Sequence, residues 1–157
     1  VMAGGDQAAF DRAAPHVAHM AARFTLMGPS GAGQTTKLCN QVIVGCTMAI
    51  LAEATRLAER AGVDPTRLPE ALAGGFADSI PLQLFVPRMA QGVHEPPLGH
   101  AWTMLKDLDE VGRLSRQTAT PAPFTAQAAE VFRLLTMRAG ERADALEIYK
   151  LTAEKPL

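Results

Sequence analysis

Apolar residues recur at three- and four-residue steps through most of this chain, and each run is bounded by glycine, proline or a capping residue. The longest such run extends from Ala32 to Ala61 without a proline. Leu38, Val42, Cys46, Ala49, Ile50, Glu53 and Leu57 share its stripe, and Gly62 stands at a natural C-terminal position. At 1.5 Å per residue such a helix is ~45 Å long, more than one small domain needs, which leaves part of it for a neighbouring subunit. Asp64-Pro65 supplies a cap and first residue for a helix to about Ala73, and Ser79 caps another through Met89. After a proline- and glycine-rich loop from Gln91 to Gly99, a helix from Ala101 to Gln117 carries Trp102, Leu105, Leu108, Val111 and Leu114 as its apolar side. Pro121 and Pro123 mark the next break. Phe124 to Arg138 follows with Ala128, Val131, Phe132 and Leu135 inward, ended by Gly140, and Asp144 to Leu151 forms a last short helix before residues expected to fray.

The first 28 residues have a different style. Val1 to Ala3 reads as the end of a strand, Asp6 caps a helix running toward Ala22 that Pro15 breaks or restarts, and Phe24 to Met27 reads as a second strand. Two short strands do not make a stable sheet. The expectation is therefore a mainly α chain, an all-helical bundle on a long central helix, behind a short α/β remnant cut from something longer.

Composition narrows the function classes. Of 157 residues, 48% are hydrophobic and 20% charged, with a formal net charge of -1 and no basic block. Nucleic acid or an anionic membrane would gain little long-range attraction from such a chain. No secretory signal and no apolar run long enough to span a bilayer is read in it. Cys39 and Cys46 lie two helical turns apart, ~10 Å, beyond a disulfide's reach. They are expected as buried reduced thiols, in keeping with a cytoplasmic location. His16, His19, His94 and His100 show no metal-ligand spacing that converges with carboxylates, so no metal is expected.

The stretch most suggestive of chemistry is Gly28-Pro29-Ser30-Gly31-Ala32-Gly33-Gln34-Thr35-Thr36-Lys37. A nucleotide phosphate loop would place lysine where Gln34 stands, and no apolar strand ending in a carboxylate follows to hold magnesium. The glycine order also differs from a dinucleotide fingerprint. The glycines can still bring backbone close to another surface and leave helix amides for a carboxylate or phosphate, or they can make a tight turn and nothing more. Lys37, Asn40 and Gln41 stand at i, i+3 and i+4 on one face near the helix start. There a lysine can serve as general acid or base, or remain a solvated side chain. Lys106-Asp107-Leu108-Asp109, read alone, is a charged helix face, and Glu53 would need a partner if buried.

Together, Met2 to Asp6, Gly28 to Gln34, Lys37 to Gln41, Ala52 to Ala54, Ala77 to Ser79 and Lys106 to Leu108 resemble the β-hydroxyacid dehydrogenases, the family of 3-hydroxyisobutyrate dehydrogenase and tartronate semialdehyde reductase. The resemblance implies an NAD(P)-dependent oxidoreductase interconverting a small 3-hydroxy acid and its semialdehyde. It implies residues 1–28 as the tail of a Rossmann domain that binds NAD or NADP, and residues 29–157 as a helical catalytic and oligomerisation domain like the C-terminal bundle of 6-phosphogluconate dehydrogenase. Lys37 would then be the acid/base, Asn40 and Gln41 the substrate-binding pair, and Gly31, Lys106 and Asp107 cofactor-side residues. Gln41 departs from the asparagine usual in the family. The long helix would join a homodimer or homotetramer, and with the cofactor fingerprint absent the chain is not expected to turn over substrate unaided. Two other readings are a non-catalytic oligomerisation or protein-interaction domain, motivated by Gln41, and an ATP-binding module.

Overall fold

The computed structural model describes residues 1–152 and divides into two compact units, Val1–Gln41 and Val42 onward. In the first, β1 (Met2–Ala3) and β2 (Thr25–Leu26) pair in parallel, Met2 opposite Thr25 and Ala3 opposite Leu26. A parallel pair needs a crossover, and α1 (Gln7–Val17) supplies it. The Asp6 side chain caps α1 by accepting from the Ala9 amide at 2.8 Å. Phe10 of α1 stacks on Phe24 before β2, ring centroids 4.2 Å apart. Pro15 lies inside α1 without breaking it, and the helix ends at Val17, short of the expected Ala22. With no amide hydrogen to donate, Pro15 removes one helical hydrogen bond, and α1 ends two residues later.

α2 (Ala32–Arg60) runs unbroken as expected and closes at Gly62, whose φ of +79° suits glycine. Asp64 caps the turn Pro65–Arg67 that leads into α3 (Leu68–Leu72), and Ser79 caps α4 (Ile80–Gln91) by accepting from Leu82 N at 3.1 Å. Gly92, in the left-handed region, ends α4. α5 (Ala101–Gln117) and α6 (Pro123–Ala139) pack together, and a turn at Ala145–Glu147, held by a reciprocal Asp144–Glu147 capping box, opens α7 (Ile148–Leu151). The core of this unit gathers Val86 and Met89 of α4, Leu108 of α5, Phe132 and Leu135 of α6, and Leu146 and Ile148, all nearly sealed from solvent. Gly45 lets α2 approach α5, since a Cβ there would lie 3.0 Å from Leu108 Cδ2 and Met104 Sδ.

Several expectations are corrected. The buried face of α2 is Leu38, Gly45, Met48, Leu51, Ala52 and Thr55, whereas Ile50 and Leu57 are exposed and Glu53 faces solvent. Apolar residues occupy both faces of α2, so their spacing alone does not say which is core. Trp102 is 42% exposed rather than inward. Cys39 is exposed and Cys46 half-buried, both free thiols. By length and composition α2 is apolar enough to cross a membrane, its best window reaching a mean hydropathy of 1.4, because Glu53 is the only charge between Lys37 and Arg56. The fraying expected after Leu151 concerns residues 153–157, which lie outside the described residues.

A polar latch ties α7 to the end of α2. Tyr149 Oη donates to Glu59 Oε2 at 2.6 Å, Arg56 lies over the Tyr149 ring at 3.9 Å, and Arg60 donates to the Thr152 carbonyl. Burial, and next the bond to Glu59, push the Tyr149 phenol up to about 12. The folded state thus favours the neutral phenol, and the stability this contributes is complete below about pH 10 and lost as pH rises through 12. Tyr149→Phe should cost about 1 kcal/mol at neutral pH and flatten the loss of stability above pH 10, as read by chemical denaturation across pH. A parallel alkaline loss in parent and variant would contradict the latch.

Candidate active site

The first unit sets its glycine-rich turn directly on the strand pair. Gly5 N donates to Gly28 O at 2.9 Å and Met27 N to Ala3 O at 2.9 Å, so the turn continues the β1–β2 ladder. A Cβ on Gly33 would sit 2.6 Å from Met2 O, and one on Gly4 2.6 Å from Pro29 O and 2.8 Å from Ala32 N. No side chain fits between these backbones. Gly33 is therefore a packing glycine. Gly31 differs: it is exposed, has φ +93°, and a Cβ there would meet nothing within 4 Å. Its backbone is open to a ligand.

Lys37 follows one turn into α2 and is half-buried. Asn40 and Gln41 come next on the helix, and Asn40 Nδ2 donates to Gln41 Oε1 at 3.1 Å, so the two side-chain amides orient each other. Thr36 bonds back to Ala32 O at 2.8 Å within the same opening turn. Between Gly31 and Gln41 the first unit thus carries a glycine with open backbone, an amine and two carboxamides in succession. That set can bind a polar substrate and exchange a proton with its hydroxyl or carbonyl oxygen.

The second unit holds the other predicted pair. Read alone, Lys106-Asp107-Leu108-Asp109 suggested a charged face, but the structure splits it. Asp109 is exposed and pairs with Arg133 of α6 at 2.8 Å. Asp107 is 4% exposed and sits with its carboxylate 3.5 Å from Lys106 Nζ, whose side chain is over half exposed. Trp102, one turn earlier, lies 5.7 Å from the same ammonium. Sequence reasoning did not pair Trp102 with Lys106, though its place four residues earlier was a usable signal. It also missed a buried group beside the start of α5, where Asp144, bridged to His100, has Oδ2 3.8 Å from both Arg88 and His94. Among the described residues, no three His, Cys, Asp or Glu side chains are placed to hold a metal ion.

The family model described as the NAD-binding segment of NADP-dependent 3-hydroxyisobutyrate dehydrogenase matches residues 31–152. The chain belongs to the 3-hydroxyisobutyrate dehydrogenase family. NAD or NADP is the cofactor class of that family segment. Among relatives of the 3-hydroxyisobutyrate dehydrogenase family chain, 2-hydroxy-3-oxopropionate reductase of Escherichia coli is 35% identical over 144 residues, covering 92% of this chain and 49% of that protein. L-threonate dehydrogenase of Cupriavidus necator is 30% identical over 135 residues, covering 85% of this chain and 45% of that one. The chain thus spans about half the length of the curated relatives it matches. The 3-hydroxyisobutyrate dehydrogenase of Mycobacterium tuberculosis, solved with L-serine, superposes with a TM-score of 0.87 over 96% of this chain and 54% of its own, at 23% identity, and shows the shared fold.

Gly33→Ala should destabilise the first unit by roughly 1–3 kcal/mol, the cost of forcing a methyl into packed backbone. Gly31→Ala should act only through its left-handed φ and cost ~1 kcal/mol. Urea denaturation of both variants checks this. Equal midpoints for Gly33→Ala and the parent would contradict the close approach.

Proposed function

We propose that this chain is the helical C-terminal half of an NAD(P)-dependent 3-hydroxyacid dehydrogenase, with Lys37 as its acid/base. Residues 1–28 are, on this reading, the tail of a dinucleotide-binding domain that precedes them. Residues 29–157 form a bundle of the 6-phosphogluconate dehydrogenase C-terminal type. The observation that carries it is Lys37, half-buried one turn into a helix whose start is fixed by Gly33, with the paired amides of Asn40 and Gln41 on the turn that follows. The family membership and the named activities of the relatives support the substrate class, a small 3-hydroxy acid or its semialdehyde.

The residues fit a dinucleotide in kind. Gly31 offers exposed backbone with open space beside it, and Lys106 an exposed ammonium, donors suited to phosphate and carboxamide groups. When bound, the nicotinamide supplies or accepts the hydride. The protein's part is proton transfer and orientation. Lys37 Nζ gives a proton to the carbonyl oxygen in reduction, and its neutral amine takes the hydroxyl proton in oxidation. Asn40 and Gln41 hold the substrate's polar groups. Gln41 carries one methylene more than asparagine, which moves its amide by about 1.5 Å, and a shift of that order can cost ~100-fold, so Gln41 tunes which hydroxyacid fits. An oligomer joined along α2 belongs to the same reading, since Ile43, Ile50 and Leu57, seven residues apart, leave an apolar stripe exposed.

In the full-length protein, Lys37→Ala should lower kcat by ~10²- to 10⁴-fold, the usual contribution of a positioned acid/base, while leaving dinucleotide affinity unchanged. Steady-state kinetics with a panel of small semialdehydes and NADPH or NADH, paired with cofactor titration, checks this. Normal turnover by the variant would exclude the assigned role. Inactivity of the parent across the whole panel would point instead to a non-catalytic oligomerisation domain.

A further inference from the structure

We propose that Trp102 is a positioning residue: its indole and the buried Asp107 carboxylate clamp the Lys106 ammonium from two sides and present it to the bound dinucleotide. The proposal rests on the cofactor-side reading of Lys106 given above, and the clamp itself rests on geometry alone.

The core does not need Trp102. The inward face of α5 is Ala101, Met104, Leu108 and Val111, and Trp102 is not among the residues packed on the core cluster. A large aromatic left 42% exposed on the opposite side forgoes much of the burial that usually justifies it. What it faces is an ammonium, 5.7 Å from its ring and one helical turn away, within the range over which a ring face attracts a cation. The second contact is less expected. Neighbouring residues on a helix do not share a face, yet Lys106 Nζ reaches the Asp107 carboxylate at 3.5 Å. Asp107 points inward at 4% exposure, and Lys106 folds back over the helix surface to meet it.

An exposed lysine populates many rotamers, and holding it in one costs side-chain entropy. Two anchors on one ammonium remove much of that freedom before any ligand arrives, which is the physical content of preorganisation. The ammonium has three donor hydrogens. The indole face accepts none of them as an ordinary hydrogen bond, and the carboxylate lies on one side only, so donors are left for an acceptor on the dinucleotide. The base of the clamp is fixed, because Trp102 N donates to Glu141 O at 3.3 Å and Ala101 N to Ala143 O at 2.9 Å.

The chain has a single tryptophan, so its fluorescence reports this indole alone. In the 157-residue chain, Lys106→Met keeps the length of the side chain and removes the charge. It should shift the emission maximum with an unchanged thermal midpoint, and Lys106→Arg should restore the parent spectrum. An emission spectrum of Lys106→Met that coincides with the parent's overturns the clamp. In the full-length protein, Trp102→Leu should weaken NADPH binding by roughly two- to fivefold, the size of an exposed cation–π contact, and Trp102→Phe should keep most of the affinity. Unchanged affinity in Trp102→Leu where Lys106→Met binds more weakly overturns the positioning role. Unchanged affinity in Lys106→Met itself removes the cofactor-side reading of Lys106, and the positioning role with it, while the fluorescence still decides the clamp.

Discussion

The first turn of α2 lies so close to β1 that a single methyl group on Gly33 would stand 2.6 Å from the Met2 carbonyl oxygen. Backbone packs against backbone there, with Gly4 making the reciprocal approach to Pro29 and Ala32. This contact fixes where the helix begins and in which rotation, and Lys37 follows by helical geometry alone, one turn on. A catalytic group must be held to within about half an ångström, and rigid elements do this better than loops. Two glycines that carry no chemistry thus set the place of the side chain proposed to carry it.

The second unit applies the same economy of contact to a different end. Gly45 brings α2 down on Leu108 and Met104, and α5 is in turn held by α6 and by the 140–144 turn. α5 is thereby a rigid bar with an apolar face inward and Trp102, Lys106 and Asp109 outward. Asp107 is the exception, a carboxylate on the inner side whose neighbour is a lysine from the outer side. Burying a charge is costly unless it is paired, and the Lys106 ammonium is one such partner.

The sequence was most legible where local chemistry dictates conformation. Asp6, Asp64 and Ser79 cap their elements, and Gly62 and Gly140 end them, because these residues satisfy helix termini without help from distant packing. The resemblance named the family, and the family match over residues 31–152 agrees with it; the roles of Lys37 and Lys106 are proposals. What could not be read was which side faces in. α2 is apolar on two faces, so its core stripe was placed on Ile50 and Leu57, which are exposed, instead of Met48 and Ala52. Trp102 was taken inward by its hydrophobicity and Asp107 outward by its charge, and each does the reverse. Those two inversions fall side by side around Lys106, and local rules are expected to fail where a site is built. Gly33 and Gly31 look alike in sequence. Only the structure separates the one that packs from the one that is open.

The most direct measurement is a crystal structure of the full-length protein with a dinucleotide and a small 3-hydroxy acid bound. As acid/base, Lys37 Nζ lies there within hydrogen-bonding distance of the substrate hydroxyl, about 2.6–3.2 Å, with Asn40 and Gln41 on the same molecule. A hydroxyl bound by other donors, with the Lys37 amine directed away into solvent, would contradict it.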